Sequence, residues 1–353
     1  MQYAVDNMTR NLTGFKHGCV KMSKIVKLNH APVVVDLFAG AGLFSYAFQK
    51  AGFQIAQAIE IDKIAAQTYA QNIGSHIQVV DICRIHPEGK CDVIIAGPPC
   101  QGFSTLGKRQ PNDPRNNLSY EVAKWASILH PRIVVIENVV SFLKSEEWCR
   151  LKRKFNKIGY QVTSFALDAK DFGVAQRRTR SFTLAYLPDI KVRQPAANSP
   201  LVTVREAWDG LSIHPNGKNH HYAPSPSEIA LKRMLTIPPG GDKRDVMRTA
   251  PDLAAPSWWN VATEVTDVWG RMNWNQPCNT LRTSLQNPSK GRYIHPEQHR
   301  VISLREAARL HSIPDSWSFH GTPTQIARQI GNSVPPLLGS AVAQMVFEAI
   351  NQC

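Results

Sequence analysis

Seven short apolar runs recur between Ala31 and Leu187, and they constrain the fold more than any other feature of the chain. Most are separated by 10 to 20 residues, which is enough for a helix. Continuous apolar strands alternating with helices are typical of a mostly parallel sheet that is covered on both faces. The sequence therefore predicts an α/β fold. The runs are VVVDLF (33–38), IAQAIE (55–60), IQVVD (77–81), DVIIAG (92–97), RIVVIEN (132–138), QVTSFALD (161–168) and SFTLAYL (181–187).

The rhythm of strands and helices is lost after Leu187. From 188 to about 300 the chain has Pro-rich and Gly-rich stretches with no clear period, which indicates a second, irregular domain. Helical spacing returns in LREAARLHSI (304–313) and PPLLGSAVAQMVFEAI (335–350), and the final helix is amphipathic enough to pack on a core. We predict four parts: an N-terminal tail (1–30), a first domain (31–187), an irregular domain (188–300) and a C-terminal segment (301–353).

The charge balance favours a polyanionic partner. The chain has 41 Lys and Arg against 27 Asp and Glu, a formal net charge of +14, and both domains carry a basic excess. Solvated lysine faces are the alternative explanation. The 43% hydrophobic content excludes a disordered polymer. No run of about 18 apolar residues and no secretory h-region is visible, so we expect a soluble protein without membrane association.

The cysteines and histidines give no sign of a disulfide framework or a metal site. The seven cysteines are odd in number, scattered and never in a C-x-x-C pair. The adjacent His220 and His221 lack partners at metal spacing. We therefore expect a reduced cytosolic environment and no metal.

The first strand runs into DLFAGAGLFSYAF, where Gly40 and Gly42 form a turn before a helix. Such a turn lets backbone N–H groups approach a ligand closely, although turn glycines without a ligand are an alternative. Glu60 ends the second strand, where an acid can bind both ribose hydroxyls, and Asp81 ends the third strand beside a possible adenine edge. Ser45 replaces the third glycine of G-x-G-x-x-G. This favours an adenosine ligand without a pyrophosphate.

The fourth strand ends in GPPCQGFS (97–104), in which two prolines hold the backbone stiffly before Cys100. Because ligands bind at the carboxyl ends of strands in open α/β sheets, Cys100 is a candidate nucleophile. The fifth strand ends at Glu137, which lies beside Cys100 if strands four and five are neighbours. A carboxyl group with a raised pKa in that place can protonate or hydrogen-bond a ring nitrogen.

Taken in order, these motifs resemble those of the DNA (cytosine-5) methyltransferases, in particular the compact prokaryotic and phage enzymes. The resemblance covers nearly all of residues 32–350. The matching motifs are DLFAGAG (36–42), Glu60, Asp81-Ile82, GPPCQGFS (97–104), the loop with Asp113-Pro114-Arg115-Asn116, Glu137-Asn138-Val139, Gln176-Arg177-Arg178-Thr179-Arg180, the HP…R…LREAARL block (295–310) and GNSVPP (331–336).

The resemblance implies a Rossmann-like domain that uses S-adenosylmethionine, at 31–187, and a smaller target-recognition domain at 188–300. It implies that Cys100 adds to C6 of a flipped-out cytosine in double-stranded DNA while Glu137 engages N3 and the exocyclic amine. Arg180 would hold the cytosine O2, and Arg178 would project into the pocket to support the base or the nucleophile. The methyl group passes to C5, and S-adenosylhomocysteine is the product.

The resemblance also implies a set of cofactor contacts. The segment 301–353 would return to the catalytic domain, so that GNSVPP reaches the glycine turn, and the loop 104–118 would close over the flipped nucleotide. Gln176 would lie behind the pocket. The implied cofactor residues are Phe38, Gly40, Gly42, Leu43, Glu60, Ile61, Asp81, Ile82, Pro99, Leu118, Asn332 and Ser333.

Three alternatives stay open on the sequence. The same fold serves a tRNA cytosine-5 methyltransferase, whose Cys-Phe-Thr signature is missing here, or a catalytically silent DNA-binding regulator. A Rossmann dehydrogenase is disfavoured by Ser45. We expect a monomeric enzyme in a bacterial cytoplasm, associated with the nucleoid through DNA. Because the sequence has no nuclease motif, any restriction endonuclease would be encoded separately, and an orphan or phage enzyme fits equally well.

The irregular domain offers many side chains for reading bases but no way to choose among them. Its tryptophans, Trp258, Trp259, Trp269 and Trp274, are expected in the core rather than stacked on bases. The polar candidates for direct readout are Arg233, Lys243, Arg244, Arg248, Arg271, Asn273, Asn275, Gln276 and Arg282.

Overall fold

A seven-stranded sheet forms the centre of the protein. The computed structural model describes residues 30–99, 118–260 and 267–352. The strand order is β3-β2-β1-β4-β5-β7-β6; the first five strands are parallel, and β7 runs antiparallel to β5 and β6. All seven predicted strands and the mostly parallel α/β sheet are confirmed. The strands are β1 (Val33–Leu37), β2 (Gln54–Glu60), β3 (Ile77–Val79), β4 (Val93–Ala96), β5 (Ile133–Asn138), β6 (Gln161–Asp168) and β7 (Thr179–Tyr186).

Helices cover both faces of this sheet. The eleven helices of the described ranges are α1 (Leu43–Lys50), α2 (Lys63–Asn72), α3 (Leu118–Leu129), α4 (Glu146–Lys157), α5 (Val204–Ala207), α6 (Glu228–Thr236), α7 (Lys243–Thr249), α8 (Pro256–Trp259), α9 (Leu304–Leu310), α10 (Pro323–Asn332) and α11 (Pro336–Asn351). Successive strand residues point to opposite faces. Val34 therefore packs with α1 and α11, whereas Val35 packs with α3 and α4.

The C-terminal helices belong to the core. The stretch Pro323–Asn351 is apolar and long enough by composition to cross a membrane, but it consists of α10 and α11, two helices separated at Ser333. Helix α11 packs directly on α1, since a Cβ added at Gly339 would lie only 2.8 Å from Cβ of Ala47. The helices predicted at 304–313 and 335–350 are confirmed as α9 and α11. The strand order also reverses between β1 and β4, which is where open α/β sheets bind their ligands.

The region from 188 to 300 has no strand among its described residues, only short helices and isolated bridges. Buried Trp258 and Trp269 lie in a small core of their own. The prediction that Trp259 is also buried is wrong, because its side chain is 57% exposed. Neighbouring residues on a helix point about 100° apart, so the turn that buries Trp258 directs Trp259 outward.

Buried arginine replaces regular hydrogen bonding in this irregular region. Arg271 is 2% exposed, and its three nitrogens donate to four carbonyl oxygens at 2.6 to 2.8 Å. Irregular backbone leaves buried carbonyls without partners, and a guanidinium group carries five N–H donors that can satisfy them. Arg271 thereby joins the end of α6 to the segment 295–298. The four acceptors are Met234, Ile237, His295 and Gln298.

Candidate active site and cofactor pocket

Glu60 is held firmly beside the glycine turn at the carboxyl end of β2. Its Oε2 accepts a hydrogen bond of 2.7 Å from the backbone N–H of Gly40. Its Oε1 accepts from the N–H groups of Ile61 and Asp62 at 2.9 and 2.8 Å. Burial raises the pKa of Glu60, and these three N–H groups oppose that rise. The carboxylate is thus fixed where the sequence predicts a ribose contact.

The glycine turn leaves open volume next to this carboxylate. Gly40 has a φ of +56°, and a Cβ added there would meet no described atom within 4 Å. Gly42, with a φ of +91°, starts α1, and a Cβ there would lie 2.8 Å from the ring of Tyr69. Phe38 has a φ of 62°, which is rare for a residue other than glycine. Gly40 therefore borders space for a ligand, while Gly42 serves the packing of α1 on α2.

The neighbouring residues fit an adenosine-bearing ligand. Ile61 follows Glu60 and is 68% exposed, which gives an apolar surface beside a carboxylate. Asp81 ends the loop after β3, where its side chain accepts a hydrogen bond from the N–H of Cys83 at 3.0 Å. A carboxylate, an open glycine turn and an exposed apolar side chain together match the sugar, the chain and the base of such a ligand.

Other predicted cofactor residues take different positions. The side chains of Leu43 and Ile82 are buried in hydrophobic cores, so a ligand could meet them only through the main chain. Pro99 and Leu118 are half-buried at the two limits of the undescribed loop, and Asn332 is exposed at the end of α10. Ser333 follows it as the C-cap, and its hydroxyl donates to the carbonyl of Ile330 at 2.9 Å.

Glu137 lies at the carboxyl end of β5, directly beside the end of β4. It is 8% exposed, and a Cβ added at Gly97 would lie 3.9 Å from its Oε2. Burial raises the pKa of Glu137, while the charges of Arg180 and Arg178 oppose the rise. Burial is the larger of these effects, so the net shift favours the protonated carboxyl group. The condition set by the sequence, that strands four and five are neighbours, is met.

Arg180 shares the pocket with Glu137. Its Nε lies 3.2 Å from Oε1 of Glu137, and its side chain is 14% exposed. Strand β7 brings the two together because Glu137 pairs with Phe182, two residues along from Arg180. The predicted nucleophile, Cys100, and the predicted closing loop up to residue 117 lie outside the described residues. Their roles stay predictions.

Arg178 does not take the position that the sequence predicts for it. Instead of projecting into the pocket, it is 1% exposed, with Nη1 donating to Leu281 at 3.0 Å and Nη2 donating to Gly331 and Ser333 at 2.8 and 3.0 Å. These acceptors are backbone carbonyls of segments without strands. Only its buried Nε lacks a partner among the described residues.

A buried group stands behind Arg178; the sequence predicts Gln176 behind the pocket, but it gives no sign of the partner His311. Gln176 is fully buried; its Oε1 accepts from the N–H of Leu281 at 3.0 Å, and its Nε2 lies 2.9 Å from Nδ1 of His311. The other nitrogen of His311 lies 3.1 Å from the carbonyl oxygen of Ser333. Burial lowers the pKa of His311 well below its usual range, so this histidine is neutral. The group joins the glutamine after β6 to the C-terminal segment.

A second buried group lies beneath the glycine turn. Asp36 is 1% exposed and accepts a hydrogen bond of 2.6 Å from the hydroxyl of Ser45. Ser45 also contacts the hydroxyl of Tyr69 at 3.1 Å, and that hydroxyl lies 3.0 Å from Nε2 of His76. Burial raises the pKa of Asp36 to about 8. The serine that departs from G-x-G-x-x-G was the available signal, and its role is to bind this carboxyl group.

The structure sorts the candidates for base reading. Arg271 and Lys243 are each 2% exposed, and Arg233 is stacked between the rings of Trp258 and Trp269. These three are therefore structural. The candidates with exposed side chains are Arg244, Arg248, Asn273, Asn275 and Gln276.

Comparison with known proteins agrees with this geometry. The family model "C-5 cytosine-specific DNA methylase" matches residues 33–348. The chain is 30% identical to the type II methyltransferase M.DdeI of Desulfomicrobium norvegicum, over 90% of each protein. It is 32% identical to the type II methyltransferase M.XorII of Xanthomonas oryzae, over 91% of this chain and 86% of that protein.

A solved structure shares the fold. It is described as a DNA modification methyltransferase encoded within a prophage of E. coli, and it superposes with a TM-score of 0.72 at 25% identity. The superposition covers 91% of this chain and 100% of that one.

Proposed function

Since the chain belongs to the C-5 cytosine-specific DNA methylase family, we propose that it methylates C5 of a flipped-out cytosine within one short sequence of double-stranded DNA. The observation that carries this proposal is the buried pair of Glu137 and Arg180 beside Gly97. This pair lies on the same edge of the sheet as Glu60 and the glycine turn. A proton donor, a cation and a nucleoside-binding carboxylate thus face one end of the sheet.

Cytosine C5 is a weak nucleophile, and the chain's own residues would activate it. The thiolate of Cys100 forms a bond to C6, and the electron pair of the C5–C6 double bond moves toward N3 as Glu137 delivers a proton there. Arg180 would hold O2 of the base through its guanidinium group. Burial raises the pKa of Glu137, which favours its role as the proton donor. The covalent adduct is an enamine, whose C5 is electron-rich.

S-adenosylmethionine, when bound, supplies a methyl group on a positively charged sulfur. Glu60 would hold the ribose hydroxyls, Ile61 would cover one face of the adenine, and Gly40 would allow close approach of the chain between them. Asp81 would accept a hydrogen bond from the adenine amine. After methylation, solvent water takes the C5 proton, the electron pair of that C–H bond forms the C5–C6 double bond and expels the thiolate of Cys100, and N3 returns its proton to Glu137, so the enzyme is regenerated.

The target carbon lies inside a base stack, so the base must leave the duplex at a cost of a few kcal/mol. We infer that residues 188–300 form the target-recognition domain, that 31–187 form the catalytic domain, and that 301–353 return to it. The loop 104–118 would close over the nucleotide, with Lys108, Arg109 and Arg115 on phosphates.

The biological setting follows from the same proposal. The matched relatives are named type II methyltransferases, so we propose a bacterial or phage enzyme that works in the cytoplasm on nucleoid DNA. It would act as a monomer, because methylation of one strand needs no two-fold partner. A cognate restriction endonuclease, where one accompanies it, would be a separate chain.

The test is methylation of a plasmid library by the purified protein with S-adenosylmethionine, read by bisulfite sequencing. We expect protected cytosines in one short sequence context. Cys100→Ser should abolish protection while leaving cofactor binding intact, and Glu137→Gln should lower turnover about 100-fold or more. Glu146→Gln is the matched control, because the Glu146 side chain is 69% exposed and pairs with Arg150 on α4; it should leave turnover unchanged.

A duplex with 5-fluorocytosine at the target tests the covalent step separately. Fluorine at C5 leaves no proton to lose, so the Cys100 adduct should persist and be seen as a stable protein–DNA complex. No adduct on a duplex that is otherwise a proven substrate would contradict addition at C6. No protected cytosine in the library, with the cofactor bound, would contradict the proposed DNA substrate.

A further inference from the structure

Arg244 is the exposed base-reading candidate that a buried carboxylate holds in place. Asp242, whose side chain is 1% exposed, accepts hydrogen bonds from Nε of Arg244 at its Oδ1 and from Nη2 at its Oδ2, both at 2.9 Å. The Arg244 side chain is 57% exposed beyond this contact. An exposed arginine ordinarily samples many rotamers. Here the two bonds fix the plane of the guanidinium group.

Asp242 is itself held from several directions. It caps α7 by accepting from the N–H of Arg244 at 3.0 Å, and its own N–H donates to Asp245 at 2.9 Å. Nη2 of Arg292 lies 3.3 Å from Oδ2, while Nη1 of Arg292 donates to the carbonyls of Gly240 and Gly241 at 2.8 and 2.7 Å. Burial opposes ionisation of Asp242, but the bonds from Arg244 keep its pKa below the usual value.

This arrangement leaves one edge of the guanidinium group available. The edge made by Nε and Nη2 faces Asp242, so within the described part of the chain two N–H bonds of Nη1 and one of Nη2 remain for a ligand. That free edge presents two parallel donors, the geometry that matches O6 and N7 of guanine in the major groove. A donor pair fixed before binding also loses little side-chain entropy on binding.

The Asp242 turn is continuous with the active-site end of the molecule. A Cβ added at Gly240 would lie 3.7 Å from Nδ2 of Asn273. Three residues along, Gln276 accepts a hydrogen bond of 2.8 Å from Nη2 of Arg177, the neighbour of Arg178. Asn273, Gln276 and Arg177 are all exposed. A polar surface therefore leads from β7 to the turn that carries Arg244.

We propose that Arg244, oriented by Asp242, reads a guanine of the target site and so determines part of the sequence specificity. The inference rests on the proposed function and deepens it. Arg248 provides the contrast on the same helix: its side chain is 74% exposed, and Nη2 makes a single bond of 2.8 Å to Asp245. Held at one nitrogen only, Arg248 has no fixed donor pair and suits a phosphate or solvent.

The experiment compares Arg244→Gln, Arg244→Lys and the control Arg248→Gln with the wild-type protein. Each is used to methylate the plasmid library and, separately, to select duplexes from a random pool by binding. We expect Arg244→Gln to lose preference for guanine at one position of the site by about 10- to 100-fold. Arg244→Lys should lose the same preference, since an ammonium group cannot form the paired bonds. Arg248→Gln should keep it.

The outcomes separate this inference from the proposed function. Selection by binding needs no methyl transfer, so it decides the role of Arg244 even if the wild-type protein methylates no cytosine, a result that would refute only the proposed function. Equal weakening at all sequences, with recovery in Arg244→Lys, would assign Arg244 to a phosphate and overturn the inference. An unchanged guanine preference in Arg244→Gln, or a selected site without guanine, would overturn it too.

Discussion

The sheet and the region from 188 to 300 position their functional residues by different means. Glu60 and Glu137 stand at the carboxyl ends of regular strands, where ladder hydrogen bonds fix the backbone. In the irregular region, the side chains of Arg271 and Asp242 fix the backbone and the neighbouring side chains. Arg271 binds backbone carbonyls, and Asp242 binds neighbouring arginines. Periodic backbone therefore places the proposed catalytic groups, whereas individual buried ions place the proposed recognition groups.

We expect that the region from 188 to 300 can be destabilised without loss of cofactor binding on the sheet. Arg271→Met should strip four buried carbonyls of their donor and destabilise the region from 188 to 300 by about 4 kcal/mol or more. Selection of DNA sequence should be lost with it. The affinity for S-adenosylmethionine should stay close to wild type, because Glu60 ends β2 and Gly40 lies in the turn that follows β1. Thermal unfolding and a cofactor titration measure the two effects.

The matched control for this change is Arg248→Met, since Arg248 is exposed and makes one bond within α7. Its effect on the free energy of unfolding should stay within about 0.5 kcal/mol. If Arg271→Met lowers the melting temperature and also weakens cofactor binding, the two regions form one cooperative unit and do not fail separately.

The same difference explains how much the sequence revealed. Strand periodicity and the residues that end each strand were readable because apolar runs mark a strand, and parallel strands bring their ends to one edge. The pattern predicted the seven strands and placed Glu60 at the end of the second. The adjacency of β4 and β5 was a condition that the structure met, and the contact of Glu60 with Gly40 was found in the structure. The positions of the strands depend on the local apolar pattern, which is visible in the sequence as periodicity.

The rest depends on contacts between distant residues that leave no such trace. Arg178 reaches carbonyls more than 100 residues away, and His311 meets Gln176 across 135 positions. An arginine that binds backbone carbonyls looks the same in a sequence as one that binds a base. Trp259 differs from Trp258 only in the direction that a short helix gives it. Three-dimensional packing decides each of these cases.

The two glycines of the turn after β1 should affect stability and cofactor binding differently. Gly42→Ala should destabilise the fold by about 3 kcal/mol, because the left-handed φ costs about 1 kcal/mol and the new Cβ meets the Tyr69 ring at 2.8 Å. Gly40→Ala should lose only the stability that the left-handed φ costs, about 1 kcal/mol. Its Cβ would instead fill the open volume beside Glu60 and weaken cofactor binding.

Thermal unfolding and isothermal titration with S-adenosylmethionine separate the two glycines. The two measurements should rank the variants in opposite order. Gly42→Ala lowers the melting temperature more, whereas Gly40→Ala weakens cofactor binding more than its small loss of stability would explain. Gly89→Ala is a control for the left-handed φ alone, since Gly89 has a φ of +87° and no described neighbour within 4 Å of its added Cβ. Equal loss of affinity in both turn variants would remove Gly40 from the cofactor site.

The last prediction concerns how stability depends on pH through the carboxyl group beneath the turn. Asp36 has a pKa of about 8 in the folded protein against an ordinary value of 3.8, so the folded state binds its proton more tightly than the unfolded state does. Its contribution to stability is therefore complete below pH 3.8 and is lost as the pH rises toward 8. Between pH 6 and pH 7 the loss should be about 1 kcal/mol.

Asp36→Asn removes this titration but keeps an oxygen that can accept the hydrogen bond from Ser45. Its free energy of unfolding, measured in urea at several pH values, should therefore fall less steeply between pH 5 and 8 than that of the wild-type protein. Asp252→Asn, an exposed control in the irregular region, should keep the wild-type slope. Parallel slopes for Asp36→Asn and the wild type would mean that Asp36 is ionised in the folded state, and that Ser45 and Tyr69 stabilise a buried negative charge under the cofactor turn. The regular sheet would then depend on a buried ion in the same way as the region from 188 to 300 does.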